Sequence, residues 1–194
     1  MNSTIEYYND NADAFIASTI NVDMRQIYNE FEKLLKPNSV ILDLGCGSGR
    51  DSLYFKKSGH IIVPVDPSIE MCKRAGKLLG MNVQQLAAEQ IKCKEEYDAI
   101  WACASLLHVP YNKMKATVEQ LHFALKKEGI IYASWKFGKD ERLENGRVFT
   151  DCNEMDLLNW FREDRFSVLK IWNSKDVRED NDFCWTNILA RKVE

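Results

Sequence analysis

Hydrophobic positions along this chain fall into two periods that alternate. Ile5, Tyr8, Ala12, Phe15 and Ile16 recur at helical spacing near the start, and Met24, Ile27, Tyr28, Phe31, Leu34 and Leu35 do so again. Asp23 followed by Gln26 predicts a capping box for this second helix, with Pro37 just past its end. The pattern then changes to a short, wholly apolar run, Val40-Ile41-Leu42, the mark of a strand covered on both faces. A helix led by Leu53, Tyr54 and Phe55 stops at Ser58-Gly59. Residues 61–65 predict a second strand. Ser68 is placed to cap a helix carrying Met71, Cys72, Ala75, Leu78 and Leu79 as far as Gly80. Residues 83–86 form a weaker third strand and 97–101 a fourth. A helix over about 112–126 follows, closed by Gly129, and 130–135 is a fifth strand. Asp151 with Glu154 predicts a second capping box before Leu157, Leu158 and Phe161. Two last strands, 166–172 and 184–191, are separated only by the polar stretch 173–182.

Strands alternating with helices predict an α/β fold, with right-handed crossovers and a mostly parallel sheet of seven strands covered by helices on both faces. The last two strands, lacking a helix between them, should form an antiparallel hairpin at one edge. In such sheets a ligand sits beyond the carboxyl ends of the strands, where the strand order reverses. No linker, repeat or low-complexity tract interrupts the 194 residues, so 1–194 reads as a single domain.

Composition narrows the partners. A net charge of -3 gives no general attraction to nucleic acid or an anionic membrane, and no apolar run approaches the roughly 20 residues that span a bilayer. The N-terminus has no basic start followed by an apolar run, so no secretory signal is expected. Six scattered cysteines without a CxxC pair predict reduced thiols, no metal site and a cytoplasmic protein. A small soluble ligand is the expected partner, and the chain is expected to be a monomer or homodimer.

The candidate chemistry begins at 41–55, ILDLGCGSGRDSLYF, with Gly45, Gly47 and Gly49 between a strand and a helix. A dinucleotide fingerprint, G-x-G-x-x-G, would need glycine at position 50, which is Arg50. No Gly-Lys-Ser/Thr follows, so a Walker loop fails as well. Asp43 ahead of the loop would repel a pyrophosphate and suit a ligand with an ammonium or sulfonium cation. At the end of the second strand, Asp66 before Pro67 could accept both hydroxyls of a ribose.

ILDLGCGSGR, VDPSIEM and YDAIWACASLLHVP together resemble the class I S-adenosylmethionine-dependent methyltransferases, most strongly over about 39–135. A narrower likeness, carried by YYNDNADAF, WACASLLHVP, YASWKFGKDER and GRVFTD, is to small bacterial tellurite-resistance-like methyltransferases. The resemblance implies a Rossmann-like three-layer sandwich and S-adenosyl-L-methionine as cofactor, S-adenosyl-L-homocysteine being the product. It implies a lid from the helices of 1–37, a cofactor-binding core over 38–135 and a substrate side built by 136–194. Gly45, Gly47 and Asp43 would face the methionine part and Asp66 the ribose, with Pro67 and Met71 beside the adenine. Ala88 and Glu89 would flank the adenine amino group, where many relatives carry aspartate. Ala102 and Leu106 would line the other side, and Tyr7 or Tyr8 with Met24 would close over the cofactor, ordinary helix packing being the competing reading. Arg50 would pair with the cofactor carboxylate or face solvent.

Methyl transfer from a sulfonium needs alignment and exclusion of water more than a dedicated base. His108 is placed where a base would sit, or is a packed histidine bonded to the backbone. Trp135, Lys136, Arg147, Trp172, Arg178 and Trp185 offer aromatic walls and cations for a small organic acceptor, neutral or anionic, with core tryptophans and a solvated loop as the competing reading, and 136–150 reads as a long polar loop. The leading expectation is a methyltransferase acting on a small molecule. A catalytically silent S-adenosylmethionine-binding module stays open, and a nicotinamide-dependent oxidoreductase is supported only by the fold and Asp66. Nothing in the chain favours a nucleic-acid substrate.

Overall fold

A computed structural model describes residues 2–178 and 182–193. Positions 179–181, within the polar connection of the final hairpin, lie outside the described residues. Three short helices open the chain: α1 (Asn2–Asp10), α2 (Ala12–Thr19) and α3 (Arg25–Glu32). Strands and helices then alternate as β1 (Val40–Leu44), α4 (Arg50–Lys57), β2 (Ile61–Asp66), α5 (Ile69–Leu79), β3 (Gln84–Gln85), β4 (Tyr97–Ala102), α6 (Tyr111–Ala124) and β5 (Leu125–Lys136). A two-stranded ribbon follows, β6 (Glu141–Glu144) and β7 (Arg147–Thr150), then α7 (Glu154–Trp160), β8 (Phe166–Lys175) and β9 (Cys184–Lys192).

The main sheet has seven strands in the order β3-β2-β1-β4-β5-β9-β8. Every pairing from β3 to β5 is parallel, while β9 runs antiparallel to both β5 and β8. The C-terminal hairpin therefore lies at an edge as expected, with its second strand inserted and its first strand outermost. Strand order reverses between β1 and β4, which puts the mouth of the fold at their carboxyl ends.

Period-two alternation sorts the core onto two faces. Leu42, Ile100, Ile131 and Ala133 pack with Met114, Val118 and Leu121 of α6 and Leu157 of α7. Their strand neighbours Ile41, Ala99, Trp101 and Tyr132 turn the other way, onto Tyr28 and Phe31 of α3 and Phe55 of α4. Asp51, in the first turn of α4, joins three elements on that second face. Its carboxylate accepts from Tyr28 OH at 2.5 Å, Arg50 Nε at 2.6 Å and Trp101 Nε1 at 2.8 Å. Arg50 Nη1 also donates to the carbonyl of Thr19 at 3.0 Å, fastening the end of α2.

Several local expectations are corrected. Asp23 caps no helix, because Arg25 occupies its carboxylate with backbone and guanidinium donors. The second capping box forms two residues later than expected, between Asn153 and Asp156, since Asp151 is held by Arg142. Gly129 closes no helix; α6 runs directly into β5 at Leu125, and Gly129 lies within that strand. The third strand shrinks to two exposed residues. The polar loop 136–150 instead holds the β6–β7 ribbon, turned by Asn145 (φ 50°) and Gly146 (φ 78°), an Asn-Gly pair suited to a tight hairpin turn. The six cysteines are free thiols.

Replacing Asp51 with alanine strands the Arg50 guanidinium and the Trp101 indole N–H. A loss of about 3 kcal/mol is expected in urea unfolding, the cost of breaking a buried pair, with a smaller loss for Trp101→Phe, which removes one bond.

Candidate functional site

At the carboxyl ends of the strands the fold opens into a cavity of about 440 Å³, within the range of small-molecule sites. The glycine loop forms one wall, and each glycine there has a positive φ. Two of them answer to the protein itself. A Cβ on Gly45 would stand 2.5 Å from Ser105 Cβ, so glycine lets the loop meet the segment after β4. Gly49 (φ 79°) opens α4 and packs on Ala75 of α5, 3.2 Å from where its Cβ would be.

Gly47 couples the loop to β2. Its N–H donates to Asp66 Oδ2 at 2.9 Å, and Ser68 N–H donates to Asp66 Oδ1 at 2.8 Å. Burial outweighs these bonds and pushes the Asp66 carboxyl up to about 6. Asp66, Pro67, Met71, Ala88 and Glu89 all border one end of the cavity. Gly45, Gly47, Arg50, Met24 and Leu106 border it too, as do Lys136, Arg147 and Trp185. The Arg50 guanidinium is already engaged by Asp51 and the Thr19 carbonyl.

Five expected contacts lie elsewhere. Asp43 is buried outside the cavity wall, accepting from Ser52 Oγ at 2.5 Å. Burial, with the Asp51 charge close by, drives its carboxyl well above the usual carboxylate range. Asp43 is thus shifted toward its neutral form and lies off the cavity wall, away from the place under the loop expected for a cation's partner. Ala102 is fully buried in β4, and Cys103, Ala104 and Ser105 border the cavity in its place. Tyr8 rather than Tyr7 lines the wall, Tyr7 serving as a platform for the Arg147 guanidinium at 4.1 Å. Trp135 points to the opposite face of β5, against Trp160 and Phe161, because the alternation that turns Ser134 and Lys136 inward turns it outward. Trp172 leans on Tyr132 and under Lys170.

Sequence reasoning missed Ser105, Ser134, Phe149, Phe183 and Asp176, all on the cavity wall. Only Phe149 had a readable signal, the Asn-Gly turn that folds β7 back. Ser105 Oγ is buried without a hydrogen-bond partner.

His108 has both nitrogens engaged. Nδ1 lies 2.6 Å from the Val148 carbonyl, which can only accept, so Nδ1 carries the proton. Nε2 then accepts from Tyr8 OH at 2.8 Å. Burial pushes the imidazole down to about 4, so it is neutral at pH 7. The lone pair that a catalytic base needs is taken by Tyr8, and His108 ties α1 to β7 instead.

The architecture is the Rossmann-like fold of the class I methyltransferases. Within it, residues 41–129 match the family described as "Methyltransferase domain". A protein of Synechocystis described as an uncharacterized methyltransferase is 27% identical over 119 residues, 59% of this chain; the match spans 56% of that relative. Burkholderia thailandensis 1,6-didemethyltoxoflavin-N1-methyltransferase, solved with 1,6-didemethyltoxoflavin and S-adenosylhomocysteine, superposes with a TM-score of 0.78 at 21% identity. That superposition covers 98% of this chain and 85% of the other. A Methanosarcina mazei SAM-dependent methyltransferase gives 0.74 at 18% identity, covering 89% and 99%. The [4+2]-cyclase SpnF gives 0.76 at 15% identity, covering 97% and 94%, so this fold hosts more than one chemistry. Among the described residues no helix is long and apolar enough to cross a membrane.

The His108 geometry sets a pH dependence. Its folded pKa of about 4 lies below the unfolded value near 6.5, so only the unfolded chain takes up the proton between them. The stability it contributes is complete above pH 6.5 and is lost as pH falls toward 4. Urea unfolding at pH 7.5 and pH 5 should show the deficit of His108→Gln shrinking at the lower pH, by up to about 1.4 kcal/mol per unit.

Proposed function

We propose that this chain is an S-adenosylmethionine-dependent methyltransferase that methylates a small molecule. The observation that carries the reading is the pairing of Asp66 with the Gly47 and Ser68 N–H groups at the rim of the cavity. The carboxylate is held rigid and faces the space where a ribose would lie, beside Pro67, Met71, Ala88 and Glu89. Further support comes from the family match over 41–129, which contains all of these residues.

The donor set fits the cofactor. Asp66 would take the ribose hydroxyls, Glu89 the adenine amino group, and the unpartnered Ser105 hydroxyl beside Gly45 the methionine end. Bound S-adenosylmethionine supplies an electrophilic methyl group on a sulfonium. The chain's own task is to orient the acceptor and keep water out. Tyr8, fixed by His108, and Met24 wall the cavity from the N-terminal segment, and the helices of 1–37 act as a lid over it. With His108 neutral and its lone pair engaged, the reaction runs without a dedicated histidine base, on an acceptor that is nucleophilic at neutral pH. The wider frame is a cytoplasmic enzyme, monomeric or homodimeric, and its kinship with the tellurite-resistance-like group rests on the sequence motifs alone.

Calorimetry with S-adenosylhomocysteine tests the cofactor assignment. Asp66→Asn should weaken binding at least about tenfold, as expected for charge-assisted hydrogen bonds of about 1.5–3 kcal/mol. Because the ionised carboxylate is the form that accepts hydroxyls, binding below pH 6 must expel a proton. Affinity should therefore fall as pH drops through about 6, a dependence that Asp66→Asn abolishes. Tight binding of NAD, with no affinity for S-adenosylhomocysteine, would sink the assignment.

A further inference from the structure

The end of the cavity remote from Asp66 has a different character. Asp66 closes β2 and Lys136 closes β5, with β1 and β4 between them. Three strand spacings separate them, about 14 Å across the sheet. At the β5 end the cations divide into two sets. Arg50, Arg142 and Arg178 each lie on a carboxylate: Asp51, Glu144 with Asp151, and Asp176 respectively. Among the described residues Lys136 and Arg147 lie on none.

Lys136 is only 8% exposed, yet among the described residues its ammonium meets no carboxylate and no hydrogen-bond acceptor. Its nearest company is two aromatic faces, Phe149 at 4.4 Å and Phe183 at 3.9 Å from ring centre to Nζ. The Arg147 guanidinium lies over Tyr7 and over the same Phe149 ring, at 4.9 Å, and its Nε is buried without a partner. Aromatic faces attract a cation but do not replace the hydrogen bonds that its N–H groups lose on leaving water. Burial and the neighbouring arginines accordingly depress the Lys136 ammonium below its ordinary range.

We propose that the methyl acceptor is a small organic acid, its single anionic group seated between Lys136 and Arg147 and its flat apolar body against Phe149, Phe183 and Trp185. The proposal rests on the methyltransferase reading and specifies its substrate class. Two cations that face one cavity and meet no carboxylate among the described residues offer convergent donors to a carboxylate, Arg147 through its guanidinium edge and Lys136 through its ammonium. Glu144 and Asp176 on the same wall repel a second negative charge, which favours a monoanion over a phosphate dianion. Aromatic walls select a conjugated body over a sugar or a metal oxyanion.

The test uses the full chain saturated with S-adenosylhomocysteine and calorimetry with matched pairs: benzoate and benzamide, nicotinate and nicotinamide, indole-2-carboxylate and its amide, and inorganic phosphate. At least one acid should bind with a Kd below about 1 mM, and about tenfold or more tighter than its amide. Lys136→Met and Arg147→Met should each erase that preference, Lys136→Arg should retain most of it, and S-adenosylhomocysteine affinity should stay within about twofold. Lys136→Met should melt no lower than wild type, because it removes a buried charge that no described carboxylate pairs. Equal binding of acids and amides, binding of phosphate alone, or no binding by any acid would overturn the proposal. So would a tenfold loss of S-adenosylhomocysteine affinity in Lys136→Met, which would give these cations to the cofactor carboxylate. Failure of the methyltransferase reading looks different: wild type then ignores S-adenosylhomocysteine, while the acid and amide comparison, run without it, still reports on Lys136 and Arg147.

Discussion

A single buried carboxylate fixes the walls around the cavity. Asp51 accepts from α3 through Tyr28, from α4 through Arg50 and from the central strand β4 through Trp101. A carboxylate removed from water must be satisfied by donors in fixed positions, so these three elements cannot slide past one another without leaving a charge exposed to the interior. Arg50 extends the constraint to the carbonyl of Thr19, and with it to the end of α2. The same charge reaches back under the glycine loop. Asp43 is pushed toward its neutral form, first by its burial and then by the Asp51 charge close by. The loop keeps its shape through the hydrogen bond from Ser52 to Asp43 and the Asp66 bridge.

Much of the fold was legible because period and punctuation agreed. The apolar runs at 40–42, 61–65 and 97–101, each followed by a helix signal, predict a parallel sheet, and the unbroken final pair predicts a reversed strand. The errors share a cause as well. Asp23, Asp151 and Asp43 were read from neighbours in sequence, yet their carboxylates were claimed by Arg25, Arg142 and Ser52 once the chain had folded. Trp135 and Trp172 belong to strands whose sequence carries no mark of which face meets the cavity. Lys136, one residue on, shows how completely a shift of one reverses the assignment. Asp51 had no local signature at all, since two of its partners are 23 and 50 residues away.

The Asp66 end of the site was easier to read than the Lys136 end for a structural reason. Asp66, Glu89 and the glycine loop sit on the turns that the parallel sheet itself requires, inside the matched segment 41–129. Lys136, Arg147, Phe149, Phe183 and Trp185 all lie beyond it, on the end of β5, the β6–β7 ribbon and the final hairpin.

That division gives the cavity a polarity. Asp66 and Glu89 border one end, while Lys136 and Arg147, which meet no carboxylate among the described residues, border the other beside the arginine-paired Glu144 and Asp176, and about 14 Å of sheet separates the ends. On the proposed methyl transfer, the leaving group is already excellent and little is needed from the protein at the reacting atoms. Selectivity would then be exercised at the two ends, by what each will hold. A scaffold of this kind can keep the first end and change its substrate by rebuilding the second, which here amounts to one strand end, a four-residue ribbon strand and a turn. In this chain that second end holds Lys136 and Arg147 against aromatic rings with no carboxylate partner among the described residues, an arrangement costly to fold.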